Sequence, residues 1–356
     1  LLHSAVVVEK RESLKSWTVL LAILAFGFSL IGAFITRSGI LTSVHAFATD
    51  PERGVFLLAI TGLFMGGALM LFAARADRLT SRGAFSLLSR ESMLVLNNIL
   101  LAVAAFVVFV GTIWPLISEL VFDRKLSVGA PFFDMAFTPF FVALGLVLPL
   151  GAMLPWKRAK LNRAARLLIP ALVLALAVLA LVYALQTGRS AMGPVGLMLG
   201  VWLVAGAATD LWARTGKSGA SRLLRLQRSD YGRVISHAGL GVTIIGVAGL
   251  LAWQSEDIRV MNEGDSLTLA GYDITLESVA REQGPNYIST IGTVHLSKDG
   301  KEIALMHPEK RFYPVARMPT TEAAIDSGFL RDVYVVIGDP QDGGGWAFRS
   351  YVKPLA

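Results

Sequence analysis

The 356 residues are 54% hydrophobic with a mean hydropathy of +0.59, which excludes an ordinary soluble protein. No cysteine is present, so the chain can form neither a disulfide nor a thiol redox pair. The net charge of +7 hides opposite halves: from Gln254 onward 10 Lys/Arg face 15 Asp/Glu, a balance of −5 that leaves +12 for the rest. Basic residues clustered between apolar runs set membrane topology and do not describe a nucleic-acid surface.

In chain order, the opening "LLHSAVVVEK" starts inside an apolar stretch, without an initiator Met or the basic leader of a signal peptide, and reads as a point part-way along a longer protein. Apolar runs of about 18 residues or more read as spanning helices. Seven are expected here: Trp17–Thr36, Gly54–Ala74, Met93–Trp114, Met135–Leu154, Leu167–Leu185, Gly193–Trp212 and Val234–Trp253. Lys and Arg alternate through the connecting loops, with three, two, four, two, five, one and then six. The positive-inside rule therefore places the opening loop in the cytoplasm and everything after Trp253 outside.

The material after Trp253 changes character. "DSLTLAGYDITLES", "STIGTVHLSKDGKE", "RDVYVVIGD" and "GWAFRSYVK" alternate apolar and polar residues between Gly and Asp-Gly turns, the pattern of short antiparallel strands. About 100 residues of this kind predict a small sandwich or barrel. The expected fold is a polytopic α-helical membrane protein of about seven transmembrane helices (1–253) with a small extracytoplasmic β-rich domain (254–356).

Of five histidines, His295 beside a "KDG" turn and His307 before Pro308 read as surface residues. His3, His45 and His237 lie in or beside apolar helices, where polar side chains are costly and tend to be functional. The competing reading is an imidazole that bonds a neighbouring helix and helps packing. His3 precedes Lys10 by seven residues, about 10 Å along a helix, and His237 follows Arg233 by four, about 6 Å. Both then lie in one layer near the cytoplasmic face. Two facing histidines at one depth form an axial pair for a haem iron. The glycines of "SHAGLGVTIIGVAG" would admit a flat macrocycle or a neighbouring helix equally well. His45 sits in the loop "ILTSVHAFATDPERG" on the opposite side.

Three stretches, in order along the chain, carry a family resemblance: "LLHSAVVVEKRESLKSWTVLLAILAF", "RSGILTSVHAFATDPERG" and "EKRFYPVARMPTTEAAIDSGFLRDVYV". They resemble CcmF, the haem lyase of cytochrome c maturation. The second stretch is the most specific. In that family a tryptophan-rich outer segment, the WWD haem-handling motif, ends shortly before the position of "LLHS", and an earlier helix bears a further histidine. The resemblance implies that this chain corresponds to the C-terminal part of such a protein.

It also implies an activity. The family accepts haem from a periplasmic haem chaperone (CcmE-like) and promotes thioether attachment to the CxxCH cysteines of apocytochrome c, alongside thiol-handling and chaperone subunits (CcmH/CcmI-like). It also holds a b-type haem in the membrane. Location in the bacterial inner membrane, with the β domain in the periplasm, follows from the same resemblance. Of four family histidines, three match here. The single span between His3 and His45 separates them across the bilayer, so His3 and His237 are expected to ligate haem b and His45 the substrate haem. Arg37, at the outer end of its span, is a candidate for a haem propionate or an interface anchor.

In the outer domain, Glu309, Lys310, Arg311, Glu322, Arg331 and Asp332 fall in family-like stretches and read either as a docking surface or as a salt-bridged scaffold. Two other classes compete with the lyase. A transporter would be expected to show inverted repeats or broken helices with mid-membrane carboxylates, and none of the seven runs has a central Asp or Glu. A structural assembly subunit would carry no haem of its own.

Overall fold

The computed structural model describes residues 1–38, 50–80, 86–158, 160–186, 190–216, 223–315 and 317–354. The helices used below are α1 (Leu2–Arg11), α2 (Lys15–Ser38), α3 (Pro51–Arg75), α4 (Arg90–Phe122), α5 (Ala130–Met153), α6 (Leu161–Leu185), α7 (Gly193–Thr215) and α8 (Arg228–Trp253). Among the described residues, the seven from α2 to α8 are long and apolar enough to cross a membrane. Several outward side chains, including Leu63, Met70, Phe106 and Leu120, are more than half exposed, as expected of surfaces that lipid would cover.

The helix limits run past the apolar runs at polar ends. Helix α4 begins three residues before Met93, where Ser89 caps it by accepting from the Ser92 amide at 3.2 Å, and it continues eight residues beyond Trp114. Pro115 lies inside it without ending it. Helix α3 starts at an Asp50 cap, whose carboxylate accepts from the Arg53 amide at 3.1 Å. The opening stretch is a helix of its own. Glu12 (φ 52°) and Leu14 (φ 65°) adopt left-handed backbone, break α1 from α2 and turn the chain into the first long span.

The chain divides into two compact units at Ile169/Pro170, within α6. In the first unit the α1 end, the α4 start and the chain after α5 share one polar layer. Glu91, fully buried, pairs with Arg11 at 2.8 Å and accepts from the Lys157 amide at 3.0 Å. Arg90 donates to the carbonyls of Leu154 (2.8 Å) and Ala152 (3.1 Å), and its guanidinium lies 5.3 Å from the centre of the Trp156 ring. Helices α4 and α5 run antiparallel, with Gly111 against Phe132 and Phe133 and Met93 against Gly151.

The second unit contains the α7–α8 hairpin and the β domain. A Cβ on Gly196 would lie 2.4 Å from the Ala248 Cβ, and one on Gly200 would lie 2.7 Å from the Gly241 carbonyl oxygen, so the two backbones touch where small residues permit it. After Trp253 the chain passes through Gln254 into two antiparallel sheets. One has the order β1 (Ser255–Met261), β10 (Trp346–Pro354), β9 (Arg331–Pro340), β8 (Ala324–Ser327). The other has the order β2 (Ser266–Leu269), β3 (Tyr272–Gln283), β4 (Ile288–Lys298), β6 (Glu309–Tyr313), β7 (Met318–Glu322), with β5 (Lys301–Met306) also pairing β4. Asp299 and Gly300, both at positive φ, form the tight turn between β4 and β5. Ile274, Leu276, Val294, Leu296, Val333, Val335 and Phe348 are fully buried in the core of this domain.

Candidate functional site

His3 lies on α1, which runs antiparallel to α4. Arg11 meets Glu91 at one end, and His3 and Ser4 meet Asn97 and Asn98 further along. Six residues of helix separate Glu91 from Asn97, about 9 Å, so the imidazole sits that far from the Arg11–Glu91 layer. Asn97 Nδ2 lies 2.8 Å from His3 Nδ1 and 3.4 Å from Asn98 Oδ1, and Asn98 Nδ2 donates to Ser4 Oγ at 2.7 Å. Ser4 is fully buried and Asn98 nearly so. The result is an unbroken polar string, Ser4–Asn98–Asn97–His3, inside an otherwise apolar contact.

His237 lies on α8, one turn beyond a closed ring of charges. Asp210, buried on α7, accepts from Arg214 Nε at 3.1 Å and from Arg233 Nη2 at 2.9 Å. Asp230 accepts from Arg214 Nη1 at 2.9 Å and from Arg233 Nη2 at 3.3 Å. The ring ties the α7 end to the α8 start, and the glycine contacts fix the hairpin beyond it. His237 is partly buried. Of the glycines flanking it, Gly241 serves the contact with α7, while a Cβ on Gly239 would meet open space.

Each histidine is thus set inward of an arginine–carboxylate layer within its own unit. A haem iron held by two imidazoles needs one neutral ring nitrogen from each. Asn97 engages His3 Nδ1, and Nε2 keeps its lone pair when Asn97 presents Oδ1 to that contact and carries the proton when Asn97 presents Nδ2. Among the described residues no group of three or more His, Cys, Asp or Glu could hold a bare metal ion. Arg37 sits exposed in the last turn of α2, and its carbonyl accepts from the Asp50 amide at 2.9 Å. His45 falls in 39–49 and lies outside the described residues.

In the β domain, Glu309, Lys310, Arg311, Glu322 and Arg331 of the family-like charged residues have partners within the fold. Arg311 bonds Glu309 at 2.7 Å, and this ion pair holds the Glu309 carboxyl below its usual range. Lys310 pairs with Asp339. Arg331 donates to the Tyr272 hydroxyl at 3.0 Å and to the Asp326 carbonyl at 2.8 Å. Thr320 donates to Glu322 at 3.1 Å.

Sequence reading missed Glu91, Asn97, Asn98 and Asp210. The adjacent amides "NN" inside an apolar span were the available signal, because a polar side chain in such a helix must find a partner.

The architecture defines a class: a polytopic helical protein whose helices are followed by a β-sandwich, with histidines in its helices. Residues 252–354 match the CcmF C-terminal beta-sandwich. Over its whole length the chain is 62% identical to the cytochrome c-type biogenesis protein ccl1 of Rhodobacter capsulatus, covering 54% of that relative. It is 47% identical to CycK of Bradyrhizobium diazoefficiens, covering 55%, and 40% identical to CcmF of Escherichia coli, covering 54%. A solved structure described as cytochrome c heme lyase CcmF matches in fold, with a TM-score of 0.73 at 23% identity over 99% of this chain and 54% of that one. The chain therefore resembles the C-terminal part of CcmF proteins and spans about half the length of the curated relatives it matches.

Proposed function

We propose that this chain is the haem-handling C-terminal part of a cytochrome c haem lyase, with 1–253 as its membrane region and 254–356 as a periplasmic domain. The carrying observation is the setting of His3, an imidazole fixed at Nδ1 by a helix-borne amide, in a chain whose relatives bear cytochrome c biogenesis names. His3 and His237 would hold haem b. When bound, that group supplies the electron that keeps the substrate haem iron reduced. His45 ligates the substrate haem delivered by a periplasmic haem chaperone, with Arg37 toward a propionate.

In the reaction a cysteine S–H of the apocytochrome adds across a haem vinyl C=C. One C–S and one C–H bond form and nothing leaves. Such an addition gains most from holding its two partners in register, an effect worth several kcal/mol. A chain without cysteine suits this division, since the reacting thiols belong to the substrate.

The test is a reduced-minus-oxidised spectrum of the full-length protein in detergent. His3→Ala and His237→Ala are expected to abolish the b-type band, and His45→Ala to retain it while thioether formation is lost. A band that survives His3→Ala rejects the axial pair. A full-length wild-type protein that purifies colourless turns the reading toward a structural assembly subunit.

A further inference from the structure

The string Ser4–Asn98–Asn97–His3 is more elaborate than packing requires. A side-chain amide presents a donor and an acceptor in nearly superimposable positions, so a half-turn about its last bond exchanges them. With Asn97 Nδ2 toward His3, the ring accepts at Nδ1 and carries its proton on Nε2. With Asn97 Oδ1 toward His3, the ring donates from Nδ1 and leaves the Nε2 lone pair free. Asn98 can turn with its neighbour, so that its Nδ2 donates to Asn97 Oδ1 and its Oδ1 accepts from the Ser4 hydroxyl. Both polarities satisfy the same contacts at 2.8, 3.4 and 2.7 Å. Ser4 and Asn98 are buried, so keeping all three contacts requires the members of the string to turn together.

We propose that Asn97 is a positioning residue for His3, and that the Ser4–Asn98–Asn97 relay sets which imidazole nitrogen carries the proton. This rests on the reading of His3 as a haem ligand. In the haem-bearing protein Asn97 Oδ1 accepts from Nδ1–H, and Nε2 is the ligating nitrogen. The ring holds one proton in either polarity, so no charge enters the apolar contact. A hydrogen bond to the non-ligating nitrogen fixes the ring plane and raises ligand basicity.

The experiment uses full-length protein purified in detergent with its haem. Asn97→Leu removes the bond, and Asn97→Asp offers acceptor oxygens only, in the same shape. The Leu variant is expected to bind haem about 10–100-fold more weakly, measured by titrating haem into stripped protein. The Asp variant is expected to retain haem with a reduction potential below wild type, because a stronger acceptor at Nδ1 makes the ligand more basic. A merely structural residue would not move that potential. Wild-type haem affinity in the Leu variant overturns the proposal. If the Leu variant does not fold, an unshifted potential in the Asp variant overturns it. His3→Ala separates the two levels: a surviving b-type band rejects His3 as a ligand, whereas loss of the band there, with haem affinity and potential unchanged in the Asn97 variants, rejects Asn97 alone.

Discussion

Helices α1 and α8 each carry a histidine, and different contacts hold them. Helix α1 is 10 residues long, meets α4 through side-chain amides and is pinned at its end by one ion pair, Arg11–Glu91. Helix α8 is 26 residues long, meets α7 through glycine backbone and is pinned by a ring of two arginines and two carboxylates. A short helix cannot bury enough surface to fix its own rotation, so polar bonds do it. A long hairpin has that surface, and close backbone approach suffices. The α1 arrangement orients one imidazole through hydrogen bonds, and the α8 arrangement places one through packing.

The largest expected effect removes the pin on the α8 side. Asp210→Ala removes the more buried of the ring's two carboxylates, 4% exposed, and leaves both guanidinium groups to Asp230 alone; breaking a buried pair costs up to about 3–5 kcal/mol. Unfolding in detergent measures it, and a loss under about 1 kcal/mol would mean that the ring contributes as a solvated surface pair does. Next, Gly200→Ala places a methyl 2.7 Å from the Gly241 carbonyl oxygen, a backbone atom that cannot swing aside. Overpacking of this kind costs about 1–3 kcal/mol. The same change at Gly239, where a Cβ meets open space, is expected to be neutral. Equal losses at the two glycines would break the claim that α8 is placed by its contact with α7.

How much of this the sequence discloses follows the range of the interaction. The long spans are legible because hydropathy is a local property. The strands of "DSLTLAGYDITLES" and "STIGTVHLSKDGKE" are legible because alternation and Gly turns are local too. Strands β1, β5, β6, β7 and β8 do not stand out, because stretches such as "EKRFY" and "MPTTE" are short and lack a clean period of two. The break after α1 lies at Glu12 and Leu14, residue types that give no warning of positive φ. The histidines themselves stand out as polar residues in apolar runs. Their partners do not: Asn97 and Asn98 are 94 residues from His3 and Ser4, and nothing local encodes that register.

The α1 side breaks more gently. Asn98→Ala removes the donor to Ser4 inside a contact where Ser4 is fully buried. Hydrogen bonds between membrane helices average about 0.6 kcal/mol and reach about 1.7. A loss in that range is expected on unfolding, smaller than that of Asp210→Ala. A larger loss than Asp210→Ala would reverse the contrast between a hydrogen-bonded α1 and a charge-pinned hairpin.

A histidine outside the membrane gives the smallest effect and a third way of holding an imidazole. His295 on β4 is reached on both ring nitrogens by carboxylates, Glu277 at 3.0 Å and Glu302 at 2.8 Å. Donation from the ring to these carboxylates, to Glu277 foremost, raises its pKa above the ordinary histidine value. The folded pKa is the higher one, so the stabilisation is full below the ordinary value, about 6.5, and fades as pH rises through the raised value. The site is open to solvent, so the effect is small and weakens with salt. Hydrogen exchange of the β4 and β5 amides is expected to speed up as pH rises through that window, beyond the intrinsic acceleration, and His295→Gln is expected to remove the excess. The same excess in the Gln variant would mean that the two carboxylates do not hold the ring. In that case charge would play no part in placing this histidine, and the contrast with the amide-held imidazole of α1 would rest on burial alone.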